Sequence, residues 1–222
     1  MHQTIIDLLK TADQDALALG GIGRPALTFR ELIAQAEATV AALNSRGIGR
    51  NDRVAIVLPN GPEMASAFLS VGCGATTAPL NPAYREEELN FYLSDLNAKA
   101  LLVAHGSTTP ARDVARARNI PVLEIDWAEE DPAGTFRILG DLSAASQVNG
   151  GFASPDDVAL VLHTSGTTSR PKIVPLTNRN ICVSAGNIAE TLRLTPEDRC
   201  LNVMPLFHIH GLIAAVLSSL SA

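Results

Sequence analysis

Residues 158 to 177 read VALVLHTSGTTSRPKIVPLT. Val158 to Leu162 is a short, continuously apolar run, the pattern of a strand buried on both faces of a sheet. Thr164, Ser165, Gly166, Thr167, Thr168 and Ser169 then place hydroxyls and one glycine in consecutive positions, with Arg170 and Lys172 just beyond. Such a turn suits an anion. Small side chains let backbone N–H groups converge on phosphate oxygens, hydroxyls add donors, and Lys172 can add a charge-assisted contact. Pro171 stiffens the chain before that lysine. Lys172 to Thr177 resumes an apolar, β-rich pattern, so the loop is expected to join two strands. Composition alone also fits a solvated turn. A Walker A loop is excluded, because the GxxxxGK[ST] spacing is missing and Lys172 is followed by Ile173.

Upstream, strand and helix patterns alternate. Thr28 can cap a helix whose apolar face is Leu32, Ile33, Ala36, Val40 and Leu43, and Gly47 can end it in the left-handed conformation. Arg53 to Leu58 reads as a buried strand, Pro62 to about Cys73 as a helix and Ala75 to Leu80 as another strand. Arg85 to Leu96 is predicted helical, Ala100 to Ala104 a strand, Ala111 to Arg118 helical and Pro121 to Ile125 a strand. The expected fold class is therefore α/β, a mainly parallel sheet flanked by helices. Ile5, Ile6, Leu8 and Leu9 suggest a short amphipathic helix at the start of the chain. Asn60, Gly61, Asn81 and Pro82 read as turn formers.

Residues 127 to 157 break the alternation with acidic, small and turn-forming residues. They are expected to make a surface excursion with a short helix. Its acidic cluster, Glu129, Glu130 and Asp131, reads as solvated surface rather than a metal site. Beyond the central loop, Asn178 is expected to cap a helix through about Leu192, and Cys200 to Met204 to form a strand leading into PLFHIHG at 205 to 211. His208 and His210 lack an evident third ligand nearby, so no metal site is assigned. The closing run LIAAVLSSLSA is apolar on most of its surface, with nothing after it to cover that surface. It implies that the carboxy-terminal part of a longer protein is missing.

With 46% hydrophobic and 18% charged residues among 222, the chain is long enough for a sizeable core. A net charge of −6 and a pI near 5.3 give no electrostatic footprint for nucleic acid or an anionic membrane. The amino terminus lacks the layout of a secretory signal, and no window reaches the apolar length of a membrane span. Cys73, Cys182 and Cys200 are widely separated in apolar surroundings, which reads as reduced core thiols in a cytoplasmic protein.

HTSGTTSRPK at 163 to 172 resembles the phosphate-binding signature of the adenylate-forming (AMP-binding) superfamily. That superfamily includes acyl-CoA synthetases, firefly luciferases and the adenylation domains of nonribosomal peptide synthetases. LTFREL, DRVAIVLPNGPEMASAFL and GATTAPLNP follow in the order found in the amino-terminal half of an acyl-CoA synthetase, and the match extends from about Leu27 to Gly211. PLFHIHG resembles the next signature, PxFHxxG, which lines the acyl pocket. Ser169 stands where the family usually has glycine, and this variant of the loop resembles the oxalate–CoA ligase branch.

The resemblance implies an ATP-dependent carboxylate–CoA ligase that makes an acyl adenylate and passes the acyl group to CoA. It implies ATP and CoA as co-substrates, Mg2+ as the nucleotide's ion, and a small-molecule carboxylate as the acid. Thr164, Ser165, Gly166, Thr167, Thr168 and Lys172 would bind the phosphates, Lys172 and His208 would serve catalysis, and His208 would lie beside the substrate carboxylate. Imidazole can donate to a carboxylate oxygen near neutral pH. The resemblance further implies a main subdomain over about 43–190, with 1–42 and 200–222 belonging to a neighbouring one. The magnesium glutamate, the ribose aspartate and the catalytic lysine of the family's carboxy-terminal domain match no position in this sequence. The fragment is therefore not expected to be a complete catalyst. A non-catalytic nucleotide-binding module and an adenylate-forming enzyme with another acyl acceptor stay open. A dinucleotide-dependent oxidoreductase is disfavoured, because Gly20, Gly21 and Gly23 give only part of GxGxxG.

Overall fold

Alternation at the two-residue period of a strand sorts the sheet's side chains onto two faces. Val54 and Ile56 belong to one buried cluster, whereas Ala55 and Val57 belong to another. Leu102 and Leu160 join the first cluster, and Leu101, Val103 and Val161 join the second. A sheet apolar on both faces needs helices on both, and the computed structural model has that three-layer arrangement. It describes residues 2–140, 149–164 and 171–222.

Helix α1 (Ile5–Thr11) precedes a hairpin of β1 (Leu17–Gly21) and β2 (Arg24–Thr28), which leads into α2 (Phe29–Asn44). Then come β3 (Arg53–Val57), α3 (Pro62–Gly72), β4 (Thr76–Pro79), α4 (Glu86–Asp95), β5 (Ala100–Ala104), α5 (Ala111–Ala117), β6 (Val122–Asp126) and β7 (Arg137–Ile138). The chain continues with β8 (Val158–Thr164), β9 (Lys172–Thr177) and α6 (Asn178–Leu192), and later a π-helical segment, His210–Leu217, that runs into an α-helical turn, Ser218–Leu220. Strand order in the seven-stranded sheet is β7-β6-β5-β3-β4-β8-β9. Its inner pairs are parallel, and β7 and β9 add antiparallel edges. Residues of α4 and α5 contribute to the second cluster, and residues of α1, α2, α3, α6 and the π-helical segment to the first. No helix among the described residues is long and apolar enough to cross a membrane.

The helix read from Thr28 onward forms as expected. The Thr28 hydroxyl accepts from Glu31 N–H while the Glu31 carboxylate accepts from Thr28 N–H, a capping box. That pairing holds the Glu31 carboxyl below its ordinary range. Gly47 has φ +74°, so the predicted left-handed turn is present.

Four expectations need correction. The β1–β2 hairpin lies where no strand was predicted, because its strands are half exposed and Pro25 interrupts the second. Cys200 to Met204 is not a strand: Leu201 and Val203 are exposed, and a β-like composition without a pairing partner makes no ladder. The excursion before β8 adds the short strand β7, and the short helix expected there is not tested, because residues 141–148 lie outside the described residues. The closing apolar run is covered after all, since Leu212, Ile213, Val216, Leu217 and Leu220 join the first cluster together with Ile181, Cys182 and Ala185 of α6. Cys73 and Cys182 are buried free thiols, but Cys200 is exposed, so only two of the three cysteines are core residues. Glu129, Glu130 and Asp131 are exposed, as expected.

Candidate active site

Strand β8 leads into the glycine- and hydroxyl-rich stretch, and several side chains fix where the strand begins. Asn51 Oδ1 accepts from Val158 N–H at 2.8 Å, and Asn51 Nδ2 donates to Asp157 Oδ1 at 2.7 Å. The buried hydroxyls of Thr76 and Thr77 donate to the carbonyls of Val158 and Ala159 at 2.6 and 2.9 Å. These bonds supplement the short β4–β8 ladder, whose register places Thr77 opposite Leu160. Because β3, β4, β5 and β8 are parallel, their carboxyl ends share one sheet edge, where open α/β sheets bind ligands.

The β8–β9 hairpin sets Thr164 directly opposite Lys172. Both are exposed at the end of the ladder. The structure thus brings together the first and last residues of the predicted phosphate loop, Thr164 and Lys172, as backbone neighbours in the ladder. Ser165, Gly166, Thr167 and Thr168 lie outside the described residues.

His163 turns to the opposite face from Leu162 and the first cluster. Its Nε2 is 3.0 Å from Asp95 Oδ2 at the end of α4, and its ring meets Tyr92 edge-on at 4.6 Å between centroids. Tyr92 in turn stacks on Tyr84 at 4.8 Å, just ahead of α4. Burial lowers the His163 pKa below its ordinary value, while Asp95 opposes that shift and Arg53 adds to it. The residue before the loop is therefore clamped onto α4.

PLFHIHG approaches the same sheet edge from the far end of the chain. Leu206 is buried and Phe207 partly so, whereas His208 is exposed, its ring 4.6 Å from that of Phe207. His208 N–H donates to Pro205 C=O at 3.2 Å, and its own carbonyl accepts from Leu212 N–H at 3.2 Å. Gly211 is required by close approach: an added Cβ would stand 2.5 Å from the Pro205 oxygen. Asn60, beyond the carboxyl end of β3, accepts from Leu206 N–H through Oδ1 at 2.8 Å and donates to Met204 C=O through Nδ2 at 3.4 Å. His210 and Ala214 border an open groove of about 590 Å³ against Val183, Ile188 and Leu192 of α6. His208 is not among the residues lining that groove.

Among the described residues no group of three or more His, Cys, Asp or Glu side chains could hold a metal ion. Sequence pattern pointed to Thr164, Lys172 and His208 but gave no sign of the contacts made by Thr76, Thr77, Asn60 and the His163–Asp95 pair, which hold their segments. A polar residue at the end of an apolar strand, as Asn60 is, was the one available signal.

Comparison with known proteins places these features in context. The model of a family described as AMP-binding enzyme matches residues 9–222. An oxalate–CoA ligase of Arabidopsis thaliana is 42% identical over 94% of this chain and 41% of its own length. One from Saccharomyces cerevisiae is 43% identical over 77% of this chain and 35% of its own. ATP-bound MatB from Rhodopseudomonas palustris superposes with a TM-score of 0.81 at 25% identity, covering 100% of this chain and 44% of that one. The chain thus spans less than half the length of these relatives.

Proposed function

The chain belongs to the AMP-binding enzyme family, and from that membership we propose that it is the amino-terminal part of an ATP-dependent carboxylate–CoA ligase acting on a small acid such as oxalate. The observation that carries the reading is the β8–β9 hairpin, which holds Thr164 and Lys172 face to face at the carboxyl edge of a parallel sheet. The relatives named oxalate–CoA ligases support the choice of acid.

The chemical problem is one of charge. An anionic carboxylate must attack the α-phosphorus of an anionic nucleotide, forming the acyl–phosphate bond as the bond to pyrophosphate breaks. Donors and cations have to neutralise the departing group. Lys172, with the hydroxyls and backbone of Thr164 to Thr168, would serve the pyrophosphate end. His208 would donate to a carboxylate oxygen at the acyl end, holding the nucleophile in line. The adenylate is then open to the CoA thiol, which takes the acyl group and releases AMP. A magnesium ion accompanying ATP would draw its protein ligands from outside the described residues. The remaining part of the same protein is the partner this reading requires, and a cytoplasmic setting, with its reduced thiols, suits it.

The test is carboxylate-dependent exchange of labelled pyrophosphate into ATP by the full-length protein, across a panel of acids. Exchange with oxalate or another small acid is the expected result, and strong activity confined to long-chain acids would overturn the choice of substrate. No exchange with any acid would reduce the protein to a nucleotide-binding module. The 222-residue chain alone should give a cooperative melt and negligible exchange.

A further inference from the structure

Asn60 looks like a turn residue, and Asn81, its counterpart after β4, is one: its side chain accepts from the N–H two positions on, at Ala83. Asn60 does something else. Its amide spans to the far end of the chain and bonds the backbone on both sides of Pro205, accepting from Leu206 and donating to Met204. Pro205 has no N–H of its own, and the residues before it make no strand, so this stretch lacks a ladder to hold it. The Met204 carbonyl also accepts from Asn202 Nδ2 at 3.2 Å, which closes a small local turn but ties it to nothing else.

We infer that Asn60 is a positioning residue for His208, acting through the Met204–Leu206 backbone to fix the imidazole at the acyl end of the site. The linkage is short. Asn60 fixes both peptides flanking Pro205, the Pro205 carbonyl accepts from His208 N–H, and the Gly211 approach to Pro205 closes the turn from its other end. Asn60 itself lies just beyond the carboxyl end of β3, a central strand of the sheet, so it refers the position of His208 to the same sheet that carries β8. Its side chain is exposed and outside the core, so its loss should leave the fold standing while the histidine segment shifts. A misplacement on the order of 1 Å at a reacting group costs on the order of a hundredfold in rate.

This inference rests on the assignment of His208 to the acyl end, and the experiment separates the two. In the full-length protein, Asn60→Ala, His208→Ala and the double variant are compared for acid-dependent pyrophosphate exchange. KM for the acid and for ATP is measured separately, and oxalate is the probe. Asn60→Ala is expected to lower kcat/KM for the acid by roughly tenfold to a hundredfold, with KM for ATP and the melting temperature nearly unchanged. In the His208→Ala background it should add almost nothing, because the group it positions is gone. Asn60→Ser, which also removes the two-sided amide without adding charge, repeats the comparison if the alanine variant does not fold. Equal losses in both backgrounds, or a parallel rise in KM for ATP, would overturn the inference while leaving His208 in place. No effect of His208→Ala would overturn the assignment beneath it, and the inference with it.

Discussion

Gly211→Ala and Gly186→Ala make the same chemical change and should move stability in opposite directions. At Gly211 the new methyl would stand 2.5 Å from the Pro205 oxygen, 3.1 Å from its carbonyl carbon and 3.3 Å from the Met204 oxygen. Ordinary contact begins near 3.4 Å, so the turn must open by about 3.4 − 2.5, or 0.9 Å. The obstructing atoms are backbone and cannot rotate away. Overpacking of this kind costs about 1–3 kcal/mol, offset by about 0.4–1 kcal/mol from the reduced entropy of the unfolded chain. Mid-range values leave a net loss of about 1.3 kcal/mol, which lowers Tm by roughly 3–5 °C in a chain of this size. At Gly186, inside α6, a Cβ meets nothing within 4 Å. There alanine should stabilise by about 0.5–1 kcal/mol through helix propensity alone. Thermal unfolding followed by circular dichroism, with urea midpoints as a second measure, reads both. A Gly211→Ala variant as stable as the parent, or two variants shifting the same way, would refute the packing described for this turn.

Lys172→Ala in the full-length protein should lose one charge-assisted phosphate contact of about 1.5–3 kcal/mol, a tenfold to hundredfold fall in adenylation efficiency at subsaturating ATP, at nearly constant Tm. Unchanged kinetics there would remove Lys172 from the phosphate site. For His163, burial sets the folded pKa below the ordinary 6.5, so the unfolded chain takes up the proton first as pH falls. The stability contributed by the neutral ring is present above that value and lost below it. His163→Gln should flatten the decline in urea midpoint as pH falls through about 6.5, and an undiminished slope would refute the burial argument. Burial pushes the Cys73 thiol up and Cys182 up to about 12, whereas Cys200 is exposed. A thiol reagent should therefore label Cys200 quickly and the other two only on unfolding, and fast labelling that survives Cys200→Ser would contradict the buried positions.

The parallel sheet was legible because its strands are buried on both faces, which leaves unbroken apolar runs bounded by caps and turns. Thr28 with Glu31 announced α2 for the same local reason. The β1–β2 hairpin left no comparable trace, since Ile22 at its tip is fully exposed and Leu17 largely so. Leu201 and Val203 show the converse error: a β-branched residue and its neighbours satisfy propensity, yet strand formation depends on a partner that composition does not reveal. The loop motif pointed to Lys172, but only the hairpin register sets it opposite Thr164. Asn60 was opaque because its partners lie 144 and 146 residues away, beyond the reach of any local pattern.

The Thr76 and Thr77 contacts with β8 also bear on the order in which the molecule assembles. Strands β3, β4, β5 and β6 pair with one another within residues 53–126, so each pairing closes a modest loop. The bond from Thr77 to Ala159 spans 82 residues. Closing the longer loop costs more entropy, and non-local pairing is slow. During synthesis from the amino terminus, the four central strands can therefore form a sheet before β8 has left the ribosome. The β4 edge then waits as a template whose two hydroxyls donate to carbonyls of the incoming strand in one register. The β8–β9 hairpin is thus a late arrival on a finished scaffold. A chain stalled before residue 158 would own the scaffold and none of the residues proposed to bind the phosphates.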